Sequence, residues 1–231
     1  MLPDEYALEG WYYYLLQEIW AQKENRGLSA AIYTQTTDVE TECNGLLSYD
    51  RRVVKIPVDR LLAMNSGEIY RKSMEVVLTN AVFGEPIWKY TFDKPAPLWN
   101  VPDFDDSHWK EGAGGFGTAF TRGSRVHTEW NTSDIWLRRS FVLNGSDWSN
   151  AKFYLHHDKS VEVYLNGVEA LVTKSYLVNY ALFDPAPAAL AALHPGTNWI
   201  AVHCDQTAGG QFIDVGIVKL ESRPGPNANA P

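Results

Sequence analysis

The chain has 231 residues, 45% of them hydrophobic, and a formal net charge of −8. That is enough for one large β domain, or one domain plus a fragment, around a real core. No basic stripe exists to release counterions from phosphates, which excludes nucleic acid and anionic membrane as partners and favours neutral ligands.

Nine Trp and twelve Tyr exceed ordinary packing needs. Such rings either fill a sandwich core or stack on sugar faces. The opening MLPDEYALEG has neither a basic nor an apolar leader region, and no run reaches the roughly 18 apolar residues of a membrane span. The chain therefore reads as soluble and without an export signal. Cys43 and Cys204 lie far apart with no CxxC or Cys/His ligand spacing, so two free thiols are expected.

Leu8, Tyr12, Leu15, Leu16, Ile19 and Trp20 recur at three and four, which predicts an amphipathic helix over 6–25, stopped by Arg26-Gly27. The apolar run 28–34 (LSAAIYT) predicts a strand buried on both faces of a parallel sheet. A polar loop over 35–45 follows, then a second helix over 52–64 with Asp50 as its N-cap. These pieces are too few for a domain of their own.

The stretch SAAIYTQTTDVETECNGLLSYDRRVVK resembles the last β/α unit of the catalytic (β/α)8 barrel of glycoside hydrolase family 2, the β-galactosidase and β-glucuronidase group. Asn44, Gly45, Leu46, Leu47, Asp50 and Arg51 match the N-G-[LIV]-[LV]-x-x-D-R segment after the eighth strand. Gln35-Thr36-Thr37 stands where many members carry Trp, and Val53-Val54-Lys55 where a Pro-Lys usually follows. The resemblance implies that residues 1–70 are a barrel end. It also implies that the two catalytic glutamates, which close the fourth and seventh strands, are not in this chain, leaving it inactive alone. Residues at the C-terminal end of a barrel strand face substrate, so Gln35, Thr36, Thr37 and Asp38 are candidate contacts. The alternative is a loop that only caps the barrel.

Residues 71–85 read as a linker or a first strand. From Pro86, turns rich in Gly, Pro and Asp separate short strands, the pattern of a β-sandwich or jelly roll over 86–222. Strands are expected at 88–92 and 135–143, the latter with Ile135, Leu137, Phe141 and Leu143 on one face and Trp136, Arg138 and Ser140 on the other. In KFYLHHDKSVEVYLNGVEALV (152–172), Asn166-Gly167 suits a two-residue I′ turn, since both residues tolerate positive φ. That turn pairs Leu165 with Val168, Val163 with Ala170 and Val161 with Val172. It leaves Glu162, Tyr164, Glu169 and Leu171 on the opposite face. With 153–157 as a third strand closed by a tight Asp158-Lys159 turn, a three-strand antiparallel meander is expected, needing a second sheet to cover it. Strands over 197–207 and 211–221 follow, and 223–231 reads as a disordered tail.

The motifs FDDSHW…GGFG, SDIWLRRSF, HHDKSVEVYLNGV, NWIAVHCDQT and GGQFIDVGI, in that order, resemble the galactose-binding-like jelly-roll modules attached to family 2 glycoside hydrolases and related secreted bacterial polysaccharide-degrading enzymes. The fold implied is mainly β, a jelly-roll β-sandwich preceded by a short α/β remnant of a (β/α)8 barrel. The partners implied are carbohydrate and the remainder of the barrel, within a periplasmic or secreted parent. No cofactor is expected. Such modules often carry structural calcium, for which Asp103, Asp105 and Asp106 are the densest acidic turn here.

Sugar binding needs a ring to stack on and a few fixed polar groups. Trp99, Trp130 and Tyr176 are candidate platforms, with Asp134, Arg138, Asp205 and Gln211 as hydrogen-bonding partners. Glu162 and Tyr164, on the hairpin's outer face, are also candidates. Each has a structural alternative: Trp109 and Trp136 as core, and Arg138 as the partner of Glu162 or Asp214. His156-His157-Asp158 is not a metal site on this reading, because adjacent strand residues point to opposite faces. Asp158 is expected to accept backbone N–H bonds in its turn, with one histidine inside and the other at the surface. No GxSxG elbow supports a Ser/His/Asp triad. Three functions compete: a carbohydrate-binding accessory region, a purely structural sandwich, and a self-standing enzyme.

Overall fold

The computed structural model describes residues 5–67, 72–145, 147–174 and 176–222. They fall into two compact units, the described residues up to 74 together with 220–222, and those of 75–219, with the boundaries falling inside the first and last strands of the second unit.

The first unit holds α1 (Glu5–Arg26) and α2 (Val58–Asn65). α1 forms where the spacing predicted it and buries Leu8, Tyr12 and Tyr13. The Tyr12 hydroxyl donates to Asn65 Oδ1 at 3.0 Å and the Trp20 indole N–H to the Met64 carbonyl at 3.2 Å. α2 starts six residues later than expected. Pro57 occupies its N-cap, and the Asp50 carboxylate instead accepts the Ser48 hydroxyl and the Arg52 N–H, closing a local turn. The 28–34 run is not a strand: no described strand pairs with it, and Ile32 is 91% exposed. An apolar segment patterned for a central parallel strand finds no neighbouring strand among the described residues to complete a ladder with. A cleft of about 400 Å³ lies between this run and α1.

The second unit is mainly β. Its strands are β1 (Lys72–Leu78), β2 (Ile87–Thr91), β3 (Lys110–Ala113), β4 (Phe116–Gly117), β5 (Thr128–Glu129), β6 (Asp134–Leu143), β7 (Ala151–His157), β8 (Val161–Leu165), β9 (Val168–Thr173), β10 (Ala181–Phe183), β11 (Gly196–Asp205) and β12 (Phe212–Ser222), with the short helix α3 (Pro187–Ala191) before β11. One sheet runs β10-β7-β12-β4-β5, with β1 also on β12; the other runs β3-β2-β6-β11-β8-β9. The sheets share one core, in which Ile135, Leu137, Val161, Val163, Leu165, Ile200 and Val202 of the second meet Phe116, Phe153, Leu155, Ile213, Val215 and Ile217 of the first. Period-2 alternation dictates this in the long strands: in β6, β7, β8 and β11 the apolar residues at alternate positions face the partner sheet.

The expected meander does not form. β7 pairs with β10 and β12, whereas β8 pairs with β9 and β11 in the opposite sheet. Asp158–Ser160 is therefore a crossing between sheets, with Lys159 at φ 119°. A crossing and a hairpin share the same alternation, since both direct Phe153, Leu155, Val161 and Val163 inward, so the pattern alone does not separate them.

The Asn166-Gly167 turn is present with both φ positive, 48° and 85°, and Leu165 pairs with Val168. Beyond it a bulge shifts the register, so that Val163 pairs with Leu171 and Val161 with Thr173 rather than with Ala170 and Val172. Ala170 and Leu171 are both buried, Val172 turns outward and Thr173 turns in. Asn166 fixes the turn from outside, donating to Ala192 O and Asn198 Oδ1 and accepting the Trp199 N–H, each at 2.8 Å.

His156 and His157 are both fully buried, against the expectation that one would lie at the surface. β7 sits inside its sheet with both faces covered: His157 faces the core with Ile213 as its cross-strand neighbour, and His156 faces outward under Tyr180 and Phe212, at 5.5 and 4.9 Å between ring centres. The Asp158 carboxylate accepts no backbone N–H among the described residues; its own N–H donates to Phe212 O at 2.9 Å. Both cysteines are free, Cys43 exposed and Cys204 in the core.

Candidate functional site on the outer face of the second sheet

In β6, β8 and β11 the residues between the core positions point away from the first sheet. On β6 these are Asp134, Trp136 and Arg138, on β8 Glu162 and Tyr164, and on β11 Trp199, His203 and Asp205. Register brings them together: His203 lies between Trp136 and Glu162, and Asp205 lies opposite Asp134.

His203 is the centre of this ridge. Its ring stacks on Trp136 with centres 4.7 Å apart and planes 10° off parallel. Nε2 meets Asp134 Oδ1 at 2.9 Å, and Nδ1 lies 3.8 Å from Glu162 Oε2. The Tyr164 hydroxyl donates to Glu162 Oε2 at 3.0 Å, and burial together with that carboxylate raises the phenol to about 12. Burial alone would raise the Asp134 carboxyl, but hydrogen bonds from Ser133 and His203 outweigh it and hold the group below its ordinary value. Beside Tyr164 stands Trp99, edge to face at 5.8 Å. The result is a row of two partly exposed aromatic rings, Trp99 and Tyr164, two carboxylates and an imidazole backed by the buried Trp136: the side chains of Glu162, Asp134 and His203 keep 43%, 33% and 21% of their surface exposed.

Arg138 explains why Trp99 is there. It is fully buried beneath the 99–106 segment, where Nε donates to Asp106 Oδ2 at 2.8 Å and its NH groups to the carbonyls of Trp99, Val101 and Pro102. Its guanidinium lies 4.7 Å from the Trp199 ring centre and 5.4 Å from that of Phe104. Neither Glu162 nor Asp214 is its partner; Asp106 is. One planar cation thus ties an irregular loop to the sheet, a task that suits a five-donor fork.

The other expected contacts are scattered. Trp130 is fully buried, its indole N–H on the Asp134 carbonyl at 3.2 Å, so its ring offers no face to a ligand. Gln211 is buried too, donating from Nε2 to Thr132 O at 2.7 Å. Tyr176 bridges to Asp158, and no contact ties it to the ridge residues among those described. Gln35, Thr36, Thr37 and Asp38 belong to the first unit. Gln35 bonds Glu42 and Asn44, Thr37 bridges to Leu47, and Asp38 pairs with Lys55 and accepts the Gly45 N–H. His203 escaped the sequence reading, although alternation in NWIAVHCDQT places it outward between buried Val202 and Cys204.

The acidic turn does not fit a calcium cage. Asp106 gives its oxygens to Arg138 and Lys89, and Asp105 Oδ1 accepts the Ser107 N–H. Among the described residues no three metal-ligating side chains converge, and no helix is long and apolar enough to cross a membrane.

No protein-family model matches the chain, and no curated protein matches it. Solved structures that resemble it include a β-glycosidase, β-glucuronidases and glycoside hydrolase family 2 members. A β-glycosidase from Bacteroides vulgatus shares 17% identity at a TM-score of 0.43, over 62% of this chain and 20% of that one. A Bacteroides uniformis β-glucuronidase shares 18% at 0.42, over 65% and 18%. A family 2 member from Bacteroides cellulosilyticus shares 12% at 0.40, over 64% and 20%. The chain spans about a fifth of the length of these proteins.

Proposed function

We propose that this chain is a carbohydrate-binding accessory region of a glycoside hydrolase family 2-like enzyme of the β-galactosidase or β-glucuronidase type. The sandwich is its jelly-roll module, and residues 1–70 are the closing unit of the catalytic barrel. The outer-face ridge is the observation that carries the binding role. Trp99 and Tyr164 supply apolar ring surface for the C–H face of a sugar, while Glu162, Asp134 and His203 supply acceptors and a donor for its hydroxyls. Hydrolysis with retention needs two carboxyl groups roughly 5–5.5 Å apart, one as acid/base and one as nucleophile. The resemblance matches neither of them to a residue of this chain, and on this reading the chain binds and does not cleave. The remainder of the barrel is then the partner that covers 28–34 and supplies its missing ladder.

A second reading, a sandwich that binds nothing, is favoured by Trp130, Arg138 and Gln211. All three are used up inside the fold. Calorimetric titration with galacto-, gluco- and plant or algal oligosaccharides separates the two. Heat with any of them supports binding, and none with all of them supports the structural role. Turnover of aryl-glycosides by the isolated chain would overturn the non-catalytic assignment.

A further inference from the structure

The charge around the ridge narrows the kind of glycan it accepts. Four outward carboxylates gather there. Asp134 and Asp205 face each other across β6 and β11, Glu162 borders His203, and Glu169 stands opposite Tyr164 across β8 and β9 with its field felt at the Tyr164 phenol. Lys94 is the cation whose field reaches Asp134. Arg138 and Lys89, also on this face, are already engaged, both on Asp106. Counting Asp106 with the two cations it holds, five carboxylates stand against Lys94, Lys89 and Arg138, a balance of minus two, or minus one with a charge on His203. The ridge is net negative in either state.

We propose, resting on the carbohydrate-binding reading above, that the ridge takes neutral glycan chains and rejects uronic-acid sugars. A neutral pyranose gives up hydroxyl protons to Glu162 and Asp134, bonds in which the acceptor is ionised and which are accordingly strong. A uronate brings its own carboxylate to the same face, finds Arg138 already held by Asp106 and Lys94 already facing Asp134, and meets like charge at short range. The selectivity is therefore built by repulsion as much as by attraction. The structures that this chain resembles include β-glucuronidases, so on this account the module would sort ligands by a rule of its own, whatever sugar the catalytic part accepts.

The test is titration of the full chain at low salt and neutral pH, read by tryptophan fluorescence and heat. The probes are a neutral set of β-linked gluco- and galacto-oligosaccharides and an oligogalacturonate of matched length. The inference expects a neutral oligosaccharide to bind at least about tenfold more tightly than the uronate, with the gap shrinking in Glu162→Gln and in 0.5 M salt. Equal binding of both, or tighter binding of the uronate, overturns the charge rule and leaves the carbohydrate reading standing. Silence with every probe overturns the carbohydrate reading itself. A gap unchanged in Glu162→Gln, with that variant's melting temperature preserved, overturns the assignment of the discrimination to this ridge.

Discussion

At the residue scale the heaviest commitment is Arg138. A guanidinium with no exposed surface, paired to Asp106 and holding three loop carbonyls, leaves several groups buried and unmet when it is removed. Breaking such a pair from one side costs about 3–5 kcal/mol. We expect Arg138→Met to lose that much in urea denaturation, and Trp99 emission to shift toward that of a solvated indole as its loop lets go. Arg138→Lys should recover little, because one ammonium does not replace the fork. The sequence showed an arginine on the polar face of an apolar strand, which reads equally as a ligand contact or a structural pair. What decided it was the 99–106 loop folding over the sheet, and no local pattern announces that.

Titration belongs to the same scale. Burial depresses both His156 and His157 from 6.5 to about 4. A depressed folded value means that their contribution to stability is complete above pH 6.5 and is lost as pH falls toward 4, on the order of 3 kcal/mol for each. Asp214 runs the other way. Burial raises it from 3.8 to about 6, so its contribution is complete below 3.8 and is lost as pH rises through 6. Between pH 6.5 and 4 one carboxylate offsets part of what two histidines lose. Urea midpoints should therefore fall between pH 7 and 4.5, and fall more steeply in Asp214→Asn, where the offset is gone. A flat profile would mean the histidines are not buried as described.

At the element scale, the β8–β9 hairpin separates what a pattern encodes from what it leaves open. Asn166-Gly167 specified the turn because both positions need positive φ and few residues tolerate it. The bulge that follows has no comparable signature in VEALV, where either register keeps an apolar residue near the core. The observed one buries the Thr173 side chain with its hydroxyl unpartnered and exposes Val172 by 38%. Thr173→Val should then be neutral or stabilising by up to about 1 kcal/mol, since it removes an unmet polar group without changing shape. Val172→Thr should be close to silent. The unbulged register predicts the reverse order, with Val172→Thr the costly change. The crossing at 158–160 was hidden for a related reason, because strands that face one core from opposite sheets alternate just as hairpin strands do.

For the whole molecule, the sandwich was legible because β6, β7, β8 and β11 carry alternating apolar residues and the turns between strands carry Gly, Pro and Asp. The first unit was legible only in α1. Its remaining apolar run meets no sheet, so its sequence describes an environment that the described residues do not supply. Limited proteolysis should accordingly cut first within 28–57 and leave 75–219 resistant. Uniform resistance would count against reading residues 1–70 as a barrel end that depends on further strands. The candidate ridge was half legible: Trp99 and Asp134 were visible as loop candidates and Glu162 and Tyr164 as outer-face residues, while alternation turned His203 outward but only the β6–β11–β8 register set it between Trp136 and Glu162.

The account turns on whether a glycan sits on that ridge. An NMR titration of the full chain with the neutral oligosaccharide that gives the largest heat is the most direct test. We predict amide and indole shifts confined to Trp99, Asp134, Trp136, Glu162, Tyr164 and His203. Shifts elsewhere in the sandwich with these residues silent, or no shifts at all at millimolar sugar, would contradict it.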